Sequence, residues 1–392
     1  MGNTKLSGLF LLWLGASISI AEIVTGTLVA PLGWIYGPIA IITGHLIGCI
    51  LFLLPAGYIS AQRHQTAIQA TEMSFGKLGV GLFSILNALQ LLGWTAVMIV
   101  NAQLAMNAIN QRLFNFKSPI LMSSIVAILI IIWLLLKHDW LFRVNNFIVI
   151  LLAIGSIILL FTVITSGQIA PHANLVAISF GGAVELSVTM ALSWLPLIGD
   201  YTTTTSKPFL TSLASVAGYF IGSCVMFLIG MASVLITKST DFTTVLSHSN
   251  LGLIALLIIV FSTVTTTFMD AYSAATNINN LTHFGKVGIW GSAITVLGLV
   301  IALTVSLSYY QNFLYAIGAV FTPLFTIVFV SYFVLKGSLP AWINFCWWII
   351  GVISYHWMQT LNLWSGPTLA LLLCLGACVS LNGFLMKNKL RR

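Results

Sequence analysis

The sequence predicts an all-α polytopic membrane protein with twelve transmembrane helices. Three observations carry that expectation. Of 392 residues, fifteen are Lys or Arg and seven are Asp or Glu, a charged share of 6%; an average soluble protein has about 25%. Apolar residues make up 59%, and apolar runs of about 18 residues or more, enough to cross a bilayer as a helix, recur along the chain. The bases fall on alternate connections between these runs. Such a composition excludes a soluble enzyme, a disordered chain and a typical nucleic-acid-binding domain. The net charge of +8 is spread thinly, and four bases sit in the tail at Lys387, Lys389, Arg391 and Arg392. Bases flanking membrane spans explain it better than a nucleic-acid partner.

Taken in order, the runs cover residues 6–32, 36–60, 78–109, 119–136, 141–165, 175–199, 209–236, 251–276, 287–307, 312–335, 340–357 and 367–385. The first continues as a full span and does not end as a cleavable signal. Short connections leave no room for an inserted soluble domain. With the N-terminus inside, the inner segments carry twelve bases: Lys5, Arg63, Lys77, Lys137, Arg143, Lys207, Lys286, Lys336 and the four of the tail. The outer segments carry Arg112, Lys117 and Lys238. One missed or added span would invert every later loop. The split therefore predicts an even count and both termini in the cytoplasm.

The acids are more informative. Glu72, Asp139, Asp200 and Asp241 fall in or beside loops, whereas Glu22, Glu185 and Asp270 fall inside spans. An ionisable group at mid-membrane costs several kcal/mol unless neutral, paired or hydrated, so each marks a candidate site. Glu22 stands among small and β-branched residues, with Pro31 and Gly33 following. Glu185 follows Gly181 and Gly182 and precedes Thr189, Ser193 and Pro196. Spans one and six thus share an interrupted character and an acid, the pattern of a transporter site built on inverted repeats. The expected organisation is one transmembrane transporter domain: repeats at 6–165 and 175–335, then two C-terminal helices at 340–386.

Span three carries Asn87, Gln90, Trp94, Met98 and Asn101 on one helical face. An indole beside carboxamides suits a flat, hydrogen-bonding ligand, although carboxamides also join helices. In span eight, Ser262, Thr265, Thr266 and Asp270 share a face. Hydroxyls and carbonyls there, completed by a broken span one, offer hard oxygen ligands for a small monovalent cation. The five cysteines lie in apolar runs with no CxxC pair and are read as small buried hydrophobes. His45, in span two, is read as packed rather than as a relay. No HExxH, Walker or GxSxG motif occurs, so no enzyme and no cofactor is expected.

These residues resemble the nucleobase:cation symporter-1 family along the whole chain. The supporting segments are Ser74-Phe-Gly76, Gly93-Trp94, Ser193-Trp-Leu-Pro-Leu-Ile-Gly-Asp-Tyr201, Thr265-Thr266 and Ala271-Tyr-Ser-Ala274. The stretch Ile20-Ala-Glu-Ile-Val-Thr-Gly-Thr27 is similar to that of the bacterial branch carrying hydroxymethylpyrimidine, a thiamine precursor. The resemblance implies a leucine-transporter-like five-plus-five inverted repeat with helices one and six broken, a bacterial cell membrane and a monomer with no obligate protein partner. Trp94 then matches the stacking tryptophan. Gln90 stands one residue before the position of the family's glutamine in the cytosine branch. Met190 and Ala191 replace the residues that grip cytosine, which argues against cytosine itself. The implied sodium site uses Thr265 and Thr266 hydroxyls, the Ser262 carbonyl and carbonyls near Ala16 and Ser19.

The expected function is import of a small aminopyrimidine, coupled to Na+ or H+, with an uncoupled facilitator or a carrier of cytosine or a purine as alternatives. A protonated carboxyl matches the amino donor and ring-nitrogen acceptor of a 4-aminopyrimidine. Glu22 or Glu185 could supply it. Equally, Glu22, Glu185 or Asp270 could carry a coupling proton.

Overall fold

The computed structural model describes residues 6–135, 138–168, 175–203, 205–242, 245, 250–282 and 286–390; within these helices the side chains of 138–149, 250, 251, 255, 259, 262, 265, 280, 282, 389 and 390 are not described. Lys5, Lys137, Arg391 and Arg392 therefore lie outside the described residues, as do the side chains of Asp139, Arg143, Ser262, Thr265 and Lys389.

Every regular element among the described residues is helical. Helix α1 (Leu6–Ser17) stops where Ile18 and Ser19 leave the helix, and α2 (Ile20–Val29) resumes at once. Serine chemistry makes the break: the Ser17 hydroxyl turns back to the Leu14 carbonyl at 2.8 Å. The extended Ser19 (φ −142°, ψ 160°) caps α2 by accepting the Glu22 N–H at 3.4 Å. After a 3-10 turn, Gly33 at φ 69° swings the chain into α3 (Gly33–Leu46). That helix runs through a π-helical stretch (Ile47–Leu53) into α4 (Leu54–Arg63). A short α5 (Ala67–Ala70) opens on a Thr66/Gln69 capping box.

Helix α6 (Glu72–Phe114) is bent at Gly76 and closed by Asn115 in the left-handed region. Helices α7 (Pro119–Leu135) and α8 (His138–Thr165) follow. Ser179 caps α9 (Phe180–Leu192), and the helix gives way to turns where the Ser193 hydroxyl bonds back to Met190 and Pro196 lacks an N–H. The remaining helices are α10 (Pro208–Thr237), α11 (Asn250–Thr282), α12 (Val287–Thr304), α13 (Tyr310–Phe329), α14 (Ala341–Thr360) and α15 (Gly366–Leu390).

Two close seams set the architecture. Gly218, Gly222 and Gly230 of α10 lie on one face against α1 and α2; a Cβ on them would strike the Phe10 carbonyl, the Ser17 hydroxyl and the Ile23 carbonyl. On the other side Gly26 meets the Phe227 backbone. Small residues at this spacing let two backbones touch, the usual way helices associate where lipid supplies no hydrophobic drive. The second seam joins α3 and its π-helical extension to α9, where Gly44 and Gly48 meet Val184, Ser187, Val188 and Ala191.

Polarity is arranged for an apolar solvent. Glu22, His45, Asn87, Gln90, Glu185 and Asp270 are all buried, whereas Ile35, Leu78, Ile128, Ile353 and Leu373 are exposed. Six helices among the described residues are long and apolar enough to cross a membrane. The cysteines depart from expectation: Cys49 and Cys224 are buried, but Cys346, Cys374 and Cys378 are exposed. They sit on α14 and α15, whose apolar outer faces make a thiol as compatible with lipid as with a core.

The α10 seam predicts that Gly218→Ala, which pushes a methyl into the Phe10 carbonyl, destabilises the protein by about 1–3 kcal/mol. Gly81→Ala, where a Cβ meets only the tip of Leu281 at 3.9 Å, should be neutral or stabilising by up to about 1 kcal/mol. Unfolding midpoints of the two variants in one detergent check this.

Candidate functional site

A buried cavity opens at the break in the first helix. Its walls come from four places: Ala16, Ser19, Ala21 and Glu22 on either side of the break; Leu91, Trp94 and Met98 of α6; Met190 of α9 with Ser193, Trp194 and Leu197 of the following turns; and Asp270 of α11. No Lys, Arg or His is among these residues.

Glu22 belongs to a chain of hydrogen bonds. Tyr219 donates to its Oε1 at 3.1 Å, and the Ser223 hydroxyl lies 2.6 Å from Oε2. Both partners project from α10, four residues apart and hence on one face. The chain continues, with His45 Nε2 at 2.5 Å from Ser223 Oγ and His45 Nδ1 at 2.8 Å from the Ile41 carbonyl. Donor counting fixes its proton content. A carbonyl only accepts, so Nδ1 carries a hydrogen, and Ser223 has one hydrogen to give. If Ser223 gives it to Glu22, Nε2 must donate to Ser223; if Ser223 gives it to Nε2, Glu22 must donate to Ser223. In both cases the chain holds one proton more than a bare carboxylate beside a neutral imidazole. His45 is packed as expected, edge-on to Phe227 at 4.8 Å, and is hydrogen-bonded at both ring nitrogens as well.

Trp94 forms a wall of the cavity, with its own ring fixed edge-on by Tyr310 at 6.1 Å and Phe313 at 5.5 Å between centroids. A side chain on Gly93 would strike Phe313, so the Gly93-Trp94 pair holds this arrangement. Tyr310 in turn meets Thr25 at 2.8 Å and ties α13 to α2. Gln90 is not a cavity wall. Its amide donates to Asn87 at 3.0 Å and to the Ser193 carbonyl at 2.9 Å, fastening α6 to the turns after α9. Its Oε1 and the Trp94 Nε1 are buried without a partner, as are both polar atoms of Asn101.

Two expected substrate contacts lie elsewhere. Glu185 faces the C-terminal helices. Tyr355 donates to it at 2.6 Å, the Thr368 hydroxyl at 2.5 Å and the Thr368 N–H at 3.1 Å. Three donors from α14 and α15 engage both of its oxygens, which makes it a staple between α9 and those helices. The reason it sits there is spacing: Glu185 and Met190 differ by five residues, so they do not share a face of α9. Ala191 is fully buried against Gly48, on the side of α9 that packs on the π-helical stretch. Met190 does reach the cavity.

Of the residues expected to hold a cation, Ala16 and Ser19 are cavity walls. Thr266 is buried one turn before Asp270 on α11. Trp194 was quoted only as part of a motif, yet it forms a second indole wall, edge-on to Trp13 at 5.5 Å. Tyr219 and Ser223 were also missed; a polar pair at i and i+4 in an apolar span was the available signal.

Helices throughout the described residues, an apolar exterior and a buried cavity holding two carboxyls at a helix break are the features of a membrane transporter. The pattern of the family described as "Permease for cytosine/purines, uracil, thiamine, allantoin" matches residues 3–345. The chain belongs to that family: it is a multi-pass membrane permease, not an enzyme. No curated protein sequence matches it. Among solved structures it is similar to Mhp1 in an inward-facing conformation (TM-score 0.77, 15% identity, covering 99% of this chain and 91% of that one). It is also similar to Mhp1 described as a nucleobase-cation-symport-1 family transporter, closed with bromovinylhydantoin bound (TM-score 0.76, 17% identity, 95% and 93%). A Na+-coupled sialic acid symporter, substrate-bound and outward-open, shares the fold as well (TM-score 0.71, 13% identity, 98% and 90%).

The two acids should respond differently to loss of a donor. Tyr355→Phe removes one bond from a buried staple and should cost about 1–2 kcal/mol of stability while leaving the KM for transport unchanged. Ser223→Ala interrupts the Glu22 chain at the cavity wall and should alter both the unfolding midpoint and the KM. Parallel melting and uptake curves test the contrast.

Proposed function

We propose that this permease is a secondary active symporter importing a small aminopyrimidine, with hydroxymethylpyrimidine for thiamine salvage as its substrate. The observation that carries the reading is the cavity itself: the interrupted first helix, Trp94 of α6, the turns after α9 and Asp270 of α11 converge there. Two indoles and two methionines give flat apolar walls, and Glu22 and Asp270 give polar edges, a lining that suits a small nitrogen heterocycle once the walls part to admit it, since the space between them is about that of one water.

In this reading the chain crosses a bacterial cell membrane twelve times with both ends inside. Residues 6–165 and 175–335 are the inverted repeats with helices one and six broken, and 340–386 adds two helices. Rocking of one bundle against the other alternates access to the cavity. Na+ is the coupling ion, held by Thr265, Thr266, the Ser262 carbonyl and carbonyls near Ala16 and Ser19. The single extra proton in the Glu22–Ser223–His45 chain favours H+ as the second candidate, since a proton held beside the substrate can travel with it.

Uptake of labelled hydroxymethylpyrimidine into proteoliposomes tests the reading. Accumulation above the external concentration under an inward Na+ gradient is expected, and Trp94→Ala should reduce it 10-fold or more. Accumulation driven by a proton gradient alone would move the coupling to the Glu22 chain. Equilibration without accumulation would make the protein a facilitator, and no uptake above empty vesicles would remove the substrate assignment.

A further inference from the structure

The three intramembrane acids differ in how they are satisfied. Glu185 receives three donors and Glu22 receives two. Asp270 is 4% exposed, forms part of the cavity wall, and has no hydrogen-bond partner among the described residues. A buried carboxyl without a donor is costly enough to require a proton, a cation or a ligand that brings donors. The cavity has no basic wall residue, while Trp94 and Trp194 line the same cavity as Asp270. A small cation needs no indoles; a planar ring with a polar edge uses both features.

We propose that Asp270 is the substrate-recognising carboxyl of this permease, its two oxygens pairing edge to edge with the ring nitrogen and adjacent exocyclic amino group of an aminopyrimidine lying beside Trp94 and Trp194. The assignment rests on the aminopyrimidine reading above and gives it a specificity-determining residue. One shared proton completes the pair. On the ring nitrogen it makes two N–H donors facing a carboxylate; on Asp270 it makes one O–H donor and one carbonyl acceptor facing a neutral amine edge. The heavy atoms occupy the same places in both cases. Glu22 has fewer acceptor sites left than Asp270, because Tyr219 and Ser223 already engage one site on each of its oxygens.

The test is a two-by-two comparison of protein and ligand. Apparent Kd values for 4-aminopyrimidine and 4-methylpyrimidine, which differ in the amino donor, are read from ligand-dependent melting of the detergent-solubilised protein. The wild type should prefer the amino compound by 10-fold or more. Asp270→Leu should erase that preference with little effect on the methyl compound. Asp270→Asn, which keeps a carbonyl acceptor and adds an N–H donor, should retain it. Asp270→Ala carries the same comparison if the leucine variant is not recovered folded. Preference surviving in both Asp270→Leu and Asp270→Ala would overturn the assignment. Loss of Na+ dependence with the preference intact would overturn it too, and would mark Asp270 as a cation ligand. If neither compound stabilises the wild type, the aminopyrimidine reading itself falls along with it.

Discussion

The close approach of α10 to the broken first helix is the constraint on which the rest of the site depends. Glu22 sits one turn into α2, buried, where a carboxyl without donors would cost several kcal/mol. The donors come from Tyr219 and Ser223 of α10, interleaved with Gly218 and Gly222. The glycines bring the two backbones together, and the tyrosine and serine use the short distance that results. A bulkier residue at either glycine would push α10 outward and strand the carboxyl. Packing and polarity are therefore one requirement here: the seam exists at the spacing that the acid needs. The same seam accounts for the break, since the Ser17 hydroxyl that helps end α1 is what a side chain on Gly222 would strike.

Much of the fold was legible because lipid imposes simple rules. Scarce charge and long apolar runs announce helices, and Ser, Gly and Pro clusters announce where helices stop. The interruption after Ser17 and the end of α9 before Pro196 both lie in stretches the sequence marked. The site was less legible, because an acid in a span reports a need for partners without naming them. Glu22 and Glu185 look alike in sequence, each near glycines and hydroxyls. What separates them is which neighbour supplies donors: α10 at the cavity for one, α14 and α15 at the periphery for the other. That is a tertiary fact. Gln90 shows the same limit, since its amide serves the Ser193 carbonyl and only its Oε1 is left open. Trp194 was visible as a letter in a motif, but nothing local said that the turn after α9 would aim it at the cavity.

The staple at Glu185 gives the last two helices a defined role. Tyr355 on α14 and Thr368 on α15 both bond this one side chain, and Thr368 meets Thr322 of α13 at 3.2 Å. Gly366, at φ 72°, lies so close to the Glu185 carboxyl that a Cβ would crowd it. Helices that could otherwise be appendages are fastened to the helix whose end forms the cavity wall. These bonds join α9, α13, α14 and α15 through one buried carboxyl and its neighbour Thr368.

Paired and bare polar groups meet at the cavity. The groups that bind helix to helix, Glu185, Tyr355, Thr368, the Gln90 amide and the Tyr310 hydroxyl, have partners at ordinary hydrogen-bond distances. Asp270 and the Trp94 Nε1, in the cavity wall, have none among the described residues, nor does Gln90 Oε1 one turn away. Bare atoms also occur away from the cavity, at Ser60 Oγ, Ser123 Oγ and Ser331 Oγ among others, so it is the place of these groups beside the cavity, and not their bareness alone, that sets them apart. Under the reading proposed above, a carboxyl, an indole N–H and an amide oxygen at or beside one cavity are groups that a carried molecule can satisfy. On that reading, their cost is returned as affinity when a substrate supplies the missing donors and acceptors, and withheld when a ring of the same shape but the wrong edge enters.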